Sequence, residues 1–162
     1  MPEDFVDMSF PAFETPLEKR QRIADLKLKL EQIRAGSGDK PYEAVKKFHE
    51  TMGQPVGDKP QFLPGPRLAF RLSLIQEEYK EFIDAVMEQD LANAFKELAD
   101  LVYVIEGLAV EMGGNLDEVF KEVHRSNMTK IDEKGEVKYR EDGKVLKPDT
   151  YSPADIERVL GL

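Results

Sequence analysis

Residues 74–104, LIQEEYKEFIDAVMEQDLANAFKELADLVYV, decide the fold of this chain. Apolar side chains recur at three- and four-residue spacing on both sides of Glu88-Gln89-Asp90, which is the pattern of amphipathic helices. The three polar residues between the two runs indicate a tight turn, in which Asp90 caps the second helix. The stretch therefore predicts two long antiparallel helices that are joined at Gln89.

Each of these helices carries a pair of acids. Glu78 and Glu81 form an ExxE pair, and Glu97 and Asp100 form an ExxD pair. Residues three apart lie on the same face of a helix. If the helices fold back about Gln89, Glu81 and Glu97 each lie about 12 Å from the turn, and Glu78 and Asp100 about 16 Å. The register therefore predicts four carboxylates at one place.

Four carboxylates between packed helices repel one another and lose solvation, which costs several kcal/mol unless they bind protons or a cation. Oxygen ligands favour Mg²⁺ or Mn²⁺ over Zn²⁺. One alternative is that the helices are rotated so that the acids face solvent. Another is a di-iron bundle, but that site needs Glu-x-x-His on two helices. Neither His49 nor His124 stands at such a position, which argues against di-iron.

The charge of the chain is unevenly distributed. Residues 73–122 hold thirteen acids and three lysines, a net charge of −10, whereas the whole chain has a net charge of −9. The remaining residues therefore carry a net charge of +1. This segregation suits a cation site beside an anion-binding tail, although a solvated acidic face is the simpler interpretation of composition alone. The acidic balance argues against a nucleic acid duplex as partner.

The rest of the chain predicts an all-α antiparallel bundle with a small C-terminal hairpin or irregular tail. Thr15 begins a helix with a capping box, and residues 1–38 form an N-terminal extension around that helix. Residues 39–162 form the main domain. Within it we predict helices at 41–52, 66–87, 91–112 and 115–128, a loop at 53–66, a hairpin at 137–146 and a short helix from Pro153.

Composition also bears on the cellular location of the protein. The chain has no cysteine, which excludes disulfides, thiolate metal sites and cysteine nucleophiles. No apolar run approaches the 18 or more residues of a membrane span. The acidic N-terminus lacks the basic start of a secretion signal. We therefore expect a cytoplasmic protein with no membrane partner.

Basic and amide side chains follow the acidic helices. Asn127 and Lys130 stand at the end of one helix, and Lys144 and Lys147 lie on or just after the predicted hairpin. Such groups bind phosphate oxygens or a base or sugar. For any single lysine, the alternative is solubility or interaction with the dipole at the helix C-terminus. His124 receives no role.

Taken together, these segments resemble the MazG-like nucleotide pyrophosphohydrolases, an all-α superfamily that includes phosphoribosyl-ATP pyrophosphohydrolases. The likeness covers about residues 42–160, and residues 1–38 fall outside it. The combination is more specific than any single motif. The segments that carry it are 45–54 for the opening helix, 74–82 and 96–104 for the two acidic motifs, 122–130 for the third helix and 142–148 for the tail.

The resemblance implies a helical bundle that assembles as a homodimer or homotetramer. It implies Mg²⁺-dependent cleavage of a nucleoside triphosphate between the α and β phosphates, in nucleotide-pool housecleaning. By this resemblance Glu77 activates water, and the four paired acids, Glu78, Glu81, Glu97 and Asp100, bind Mg²⁺, for which Mn²⁺ can substitute. The residues that face the nucleotide are Asn127, Lys130, Lys144 and Lys147.

The sequence leaves open other substrates and one role other than catalysis. The tail resembles that of dUTP-directed enzymes, whereas other relatives prefer other pyrimidine or purine nucleotides. Phosphoribosyl-ATP is a rival substrate within the same enzyme class. A non-catalytic helical module that binds a partner through the N-terminal stripe of Ile23, Leu26, Leu30 and Ile33 is the rival outside that class.

Overall fold

The computed structural model describes residues 15–34 and 40–162 of the chain. The described residues fold into α-helices joined by turns and loops, so the predicted all-α class is confirmed. No helix among them is long and apolar enough to cross a membrane. The helices are α1 (Pro16–Arg34), α2 (Pro41–Met52), α3 (Gly65–Met87), α4 (Leu91–Met112), α5 (Leu116–Met128) and α6 (Ile156–Leu160).

Helix α1 forms a unit separate from the rest of the chain. Its capping box is present: the Glu18 backbone N–H donates to Thr15 Oγ1 at 3.2 Å, and the Thr15 backbone N–H donates to Glu18 Oε2 at 2.7 Å. The glycines predicted to end this helix, Gly36 and Gly38, lie outside the described residues. The proposed division of the chain near residue 38 stays a prediction.

Helices α3 and α4 form the predicted antiparallel hairpin and pack along their lengths. Gln89 takes a left-handed conformation (φ 59°) in the turn between them. The Asp90 side chain accepts a hydrogen bond from the Asn93 backbone N–H at 3.0 Å, as its predicted role as N-cap requires. This hairpin is the frame on which the acidic residues are held.

Helix α2 packs against α4 and closes a small apolar core. Tyr42 and Val45 of α2 and Val110 of α4 form its centre, with Leu116 beside them. The loop after α2 is tied to the end of α4, because the Gly57 N–H donates to the Val110 carbonyl at 2.9 Å. The core therefore sits at the end of the hairpin remote from the turn.

Helix α4 is less buried than its composition predicts. Apolar residues on most of its faces predicted a buried central helix, but Leu91 is 72% exposed and Phe95 66% exposed. Burial is confined to the faces that meet α2 and α3, where Glu97, Gly107 and Val110 are enclosed. The prediction of a buried central helix is therefore wrong, since no other part of residues 40–162 forms a second layer over the remaining face of α4.

Helix α5 is capped by Asn115, whose side chain accepts from the Glu118 backbone N–H at 3.2 Å. The tail then makes the predicted small hairpin around Gly143 (φ 84°), with one antiparallel bridge between Tyr139 and Val145. The closing helix starts at Ile156 rather than at Pro153. Its start is fixed instead by Asp155, which accepts from the Arg158 N–H at 3.1 Å.

Candidate active site

Three of the four predicted metal ligands converge between α3 and α4. Carboxylate oxygens of Glu78, Glu81 and Glu97 all lie within 4.8 Å of one another. Glu97 is buried, Glu78 is half-buried and Glu81 is exposed, so the group opens to solvent on one side. The matched spacing from the Gln89 turn explains why residues from two helices meet here. We call these three side chains the carboxylate cluster.

Asp100, the fourth predicted ligand, is turned toward Lys96. The Lys96 ammonium lies 2.9 Å from an Asp100 oxygen and 3.0 Å from both oxygens of Glu97. These contacts raise the pKa of Lys96, chiefly through its hydrogen bonds to Asp100 and Glu97. Lys96 therefore supplies positive charge to one edge of the carboxylate cluster and holds Asp100 at that edge.

The field within the cluster is negative despite this lysine. Partial burial raises the pKa of Glu78, and the charges of Asp100, Glu81 and Glu97 raise it further, while Lys96 works in the opposite direction. Crowded carboxylates of this kind gain stability from a bound cation. Asp100 thus lies close enough to Glu78 to act on the same site.

The cluster fits a hard divalent cation. Its donors are oxygen atoms alone, on two rigid helices, and they are already within the reach of one ion. No histidine belongs to the cluster, and the chain has no cysteine. The donor set therefore matches Mg²⁺ or Mn²⁺ better than Zn²⁺. Glu78, Glu81 and Glu97 would hold the ion, with Asp100 available once Lys96 releases it.

Glu77, the predicted base, is exposed on α3 next to Glu78. As neighbours on a helix, their side chains point about 100° apart. Glu77 is therefore exposed beside Glu78 but is not a member of the carboxylate cluster, and its role as base stays a prediction.

The predicted substrate-binding residues divide into two places. The Lys130 ammonium donates to Asn127 Oδ1 at 2.8 Å, and Lys130 and Lys147 line one small cavity. Lys147 also lies over the ring of Tyr151, at 4.3 Å from its centroid. Lys144 lies apart, beside the turn of the tail hairpin, where its backbone N–H donates to Asp142 Oδ1.

Two residues beside Lys130 and Lys147, namely Lys138 and Tyr151, were not predicted from the sequence. Lys138 lines the same cavity as Lys130 and Lys147. The Tyr151 hydroxyl accepts from Ser126 Oγ at 3.0 Å, and this bond lowers the pKa of Tyr151, as do the charges of Lys147 and Lys130. Only the hairpin pattern, which brings Lys138 opposite Leu146, could have indicated Lys138 from sequence.

The structure also contains an aromatic pair that was not predicted from the sequence. The rings of Phe48 on α2 and Tyr103 on α4 meet edge to face, with centroids 5.6 Å apart. Tyr103 is 40% exposed and stands three residues after Asp100, on the same side of α4. The exposed part of the Tyr103 ring is therefore open to contact with a planar ligand group.

A helical hairpin that gathers ExxE and ExxD carboxylates, followed by a tail whose lysines line a cavity, matches the all-α class that the sequence resembles. Comparison with known families agrees: the sequence model described as phosphoribosyl-ATP pyrophosphohydrolase matches residues 45–127. The chain belongs to this family, and its resemblance to the MazG-like enzymes is confirmed. The match contains the carboxylate cluster and Asn127 but stops before Lys130.

One relative extends the likeness beyond the family match. The chain is 33% identical over 124 residues to "Uncharacterized protein L479" of Acanthamoeba polyphaga mimivirus. The alignment covers 74% of this chain and 47% of the viral protein. The chain therefore spans about half the length of that relative.

Proposed function

We propose that the protein hydrolyses a nucleoside triphosphate between its α and β phosphates, giving a monophosphate and pyrophosphate in nucleotide-pool housecleaning. The observation that carries this proposal is the convergence of Glu78, Glu81 and Glu97 within 4.8 Å on a family-matched helical hairpin. We propose Mg²⁺ as the resident ion, with Mn²⁺ as a substitute, because the donors are carboxylate oxygens.

The chemistry follows from the position of each side chain. When bound, the cation neutralises charge on the phosphate oxygens. A water oxygen attacks the α phosphorus, the bond from that phosphorus to the bridging oxygen breaks, and pyrophosphate leaves. Glu77 accepts the proton of the attacking water, because it is exposed beside Glu78. No covalent intermediate on the protein is needed.

Substrate contacts come from the tail and the aromatic pair. We assign Asn127, Lys130, Lys144 and Lys147 to the nucleotide, since ammonium and amide groups pair with phosphate and sugar oxygens. The exposed ring of Tyr103 supports a substrate with a nucleobase rather than a bare polyphosphate. A deoxynucleotide such as dUTP is our first candidate, and phosphoribosyl-ATP is the second because the family model carries that description.

We further propose that the protein works as a homodimer or homotetramer. An exposed stripe of α4, namely Leu91, Phe95, Leu98, Val102 and Ile105, lies on the hairpin together with exposed apolar residues of α3, namely Leu72, Tyr79, Ile83 and Val86. We call these residues the apolar face. A two-helix hairpin can bury such a face against its own copy in a four-helix arrangement. The lack of cysteine supports a cytoplasmic location.

The test is a product assay with Mg²⁺ over nucleoside and deoxynucleoside triphosphates, phosphoribosyl-ATP and inorganic tripolyphosphate. We expect pyrophosphate with a monophosphate from one nucleotide class and no turnover of tripolyphosphate. Orthophosphate as the sole product would overturn the cleavage position. A folded protein that neither turns over any substrate nor gains thermal stability with Mg²⁺ would favour a non-catalytic binding module.

A further inference from the structure

The Tyr151 side chain joins the C-terminal tail to the end of α5. Its hydroxyl accepts a hydrogen bond from Ser126 Oγ at 3.0 Å, and Ser126 is only 3% exposed. On the face of its ring lies the Lys147 ammonium, 4.3 Å from the ring centroid. One side chain therefore contacts a buried group of α5 and an exposed lysine of the tail at the same time.

A tight turn separates Lys147 from Tyr151. The Tyr151 backbone N–H donates to the Pro148 carbonyl at 3.0 Å, which closes a turn over residues 148–151. Such a turn reverses the chain within four residues. The residue before the turn, Lys147, is thereby brought back toward the residue that ends it. The contact between lysine and ring therefore follows from the local sequence.

The backbone after Tyr151 is bound to α5 by further hydrogen bonds. The Ser152 N–H donates to Thr129 Oγ1 at 2.9 Å, and Arg125 Nη2 donates to the Pro153 carbonyl at 3.0 Å. The Tyr151 ring is therefore held at both its hydroxyl and its backbone. Lys147, in contrast, is exposed and has a long side chain with several rotatable bonds.

Lys147 lines one small cavity together with Lys130 and Lys138. The acids of this lining are Asp132 and Glu136, so three lysines and two acids give it a net charge of +1. Asp132 Oδ1 accepts two backbone N–H groups, at 2.9 and 2.8 Å. Across residues 40–162, the ion pairs to carboxylates involve none of these three lysines. An anion that binds here therefore displaces no ion pair.

An ordered lysine binds an anion at a lower entropic cost than a free one. A lysine ammonium has three N–H donors, so an ammonium that rests on an aromatic face can still donate away from the ring. Ordering a flexible side chain beforehand is worth about two- to tenfold in affinity. The Tyr151 ring can therefore strengthen phosphate binding without touching the phosphate.

We propose that Tyr151 is a positioning residue: its ring holds the Lys147 ammonium, and Ser126 holds the ring, so that Lys147 is ordered for a phosphate group before the ligand arrives. The contact with the ring persists in the complex, because the phosphate uses the N–H groups that point away from it. The inference rests on the assignment of Lys147 to the nucleotide in the proposed function. Tyr151 acts through Lys147 alone.

Titration calorimetry with inorganic pyrophosphate and Mg²⁺ tests this action in the full chain. The proteins are the wild type, Tyr151→Leu, Lys147→Met and the double variant, which form a double-mutant cycle. We expect Tyr151→Leu to weaken pyrophosphate binding about two- to tenfold and Lys147→Met to weaken it at least as much. In the Lys147→Met background, Tyr151→Leu should have no further effect.

Four results would overturn the proposal. An equal loss from Tyr151→Leu in both backgrounds would show that the ring does not act through Lys147. Tighter binding by Tyr151→Leu would show that the lysine must leave the ring to bind phosphate. Unchanged binding in Lys147→Met, or a wild type that binds no pyrophosphate, would remove the phosphate from Lys147.

The hydroxyl is tested separately, which also serves if Tyr151→Leu folds poorly. Tyr151→Phe and Ser126→Ala each remove the hydrogen bond between these residues and keep the ring. Both should weaken binding by the same factor, and neither should matter in Lys147→Met; an effect that persists there would contradict the proposal. The control is Tyr139→Leu, a tail tyrosine that is 63% exposed, which should bind as the wild type does.

Proton NMR tests the contact without any ligand. The Lys147 ε-methylene signal, assigned by its loss in Lys147→Met, should be shifted upfield by the ring current and return to its ordinary position in Tyr151→Leu. An ordinary position in the wild type would sink the idea. Neither the titration nor the NMR measurement needs turnover. Coupling without nucleotide hydrolysis would therefore retain this role for Tyr151 and reject the proposed function, and hydrolysis without coupling would do the reverse.

Discussion

The guanidinium of Arg71 fills the space beside Gly107, so that a Cβ added to this glycine would overlap Arg71 Nη2. That same nitrogen donates to the Val104 carbonyl on α4 at 3.0 Å. Gly107 lies in the middle of α4, where glycine is unfavourable for a helix. The glycine is therefore explained by the close approach of a buried arginine from α3.

Gly107→Ala should destabilise the protein by about 1–3 kcal/mol, the usual cost of overpacking a filled site. In an Arg71→Ala background the same change should cost much less, because the overlapping guanidinium is gone. Urea denaturation of the wild type, both single variants and the double variant measures this coupling. An equal cost of Gly107→Ala in both backgrounds would contradict the account.

Lys96→Met should lower the stability of the metal-free protein and increase the stabilisation that Mg²⁺ provides. Without the ammonium, the metal-free protein loses the contacts at 2.9 and 3.0 Å to Asp100 and Glu97 and becomes less stable. The ion then has no lysine to displace, so the rise in melting temperature on adding Mg²⁺ should grow.

Thermal melts with and without Mg²⁺ measure both effects of Lys96→Met. The control is Lys80→Met, whose lysine is exposed and pairs with Asp84 at 3.8 Å. If Mg²⁺ raises the melting temperature of Lys96→Met no more than that of Lys80→Met, Lys96 does not compete with the ion.

The C-terminal segment should detach on acidification. Glu122 accepts two hydrogen bonds from Arg125, at 2.9 and 2.8 Å, and one from the Asp155 N–H at 3.0 Å. The Arg125 bonds, followed by the Asp155 bond, lower the pKa of Glu122 from 4.5 to about 2. Stability from this group is therefore full above pH 4.5 and is lost as pH falls toward 2.

Exchange protection of the α6 amides between pH 5 and 2 measures this loss. Glu122→Gln should lower α6 protection at pH 6 and flatten its decline, because the charge-assisted bonds are gone at every pH. Glu157→Gln changes an exposed glutamate of α6 and serves as the control. An acid transition that persists unchanged in Glu122→Gln would assign the effect to another group.

Placing a charge on the apolar face should break the proposed assembly. Phe95→Glu puts a carboxylate within the α4 stripe, where burial against a second copy would leave it unpaired. Light scattering should then report a monomer while circular dichroism keeps its helical signal. Phe120→Glu changes an α5 residue that is 70% exposed and should leave the mass unaltered. A monomeric wild type would end the assembly proposal.

The sequence predicted the parts that depend on local chemistry. The capping residues Thr15, Asp90 and Asn115 act as expected, and the Gln89 turn sets the spacing that brings Glu78 and Glu97 together. These outcomes follow from hydrogen bonds and helix geometry within a few residues. Helix periodicity was therefore sufficient for the hairpin and for most of the carboxylate cluster.

Long-range choices were not predictable in the same way. Equal heights along two helices placed Asp100 with the other acids. The i,i+4 spacing of Lys96 offered Asp100 a competing ion pair within α4, and periodicity does not decide between the two. The Arg67–Glu111 pair joins residues 44 positions apart. Apolar content likewise predicted a buried α4, since an exposed apolar face has the same composition as one that packs in a core.

The most direct test of the central claim is Mg²⁺-dependent pyrophosphate release from the best nucleotide substrate by the wild type and by Glu97→Gln. Glu97 is the most buried member of the carboxylate cluster, 3% exposed. We expect the wild type to release pyrophosphate with the monophosphate and Glu97→Gln to lose at least about a hundredfold in rate while its helices persist. Glu88→Gln, an exposed acid beside the turn, should retain wild-type turnover. Full activity in Glu97→Gln would contradict the claim that this cluster carries the reaction.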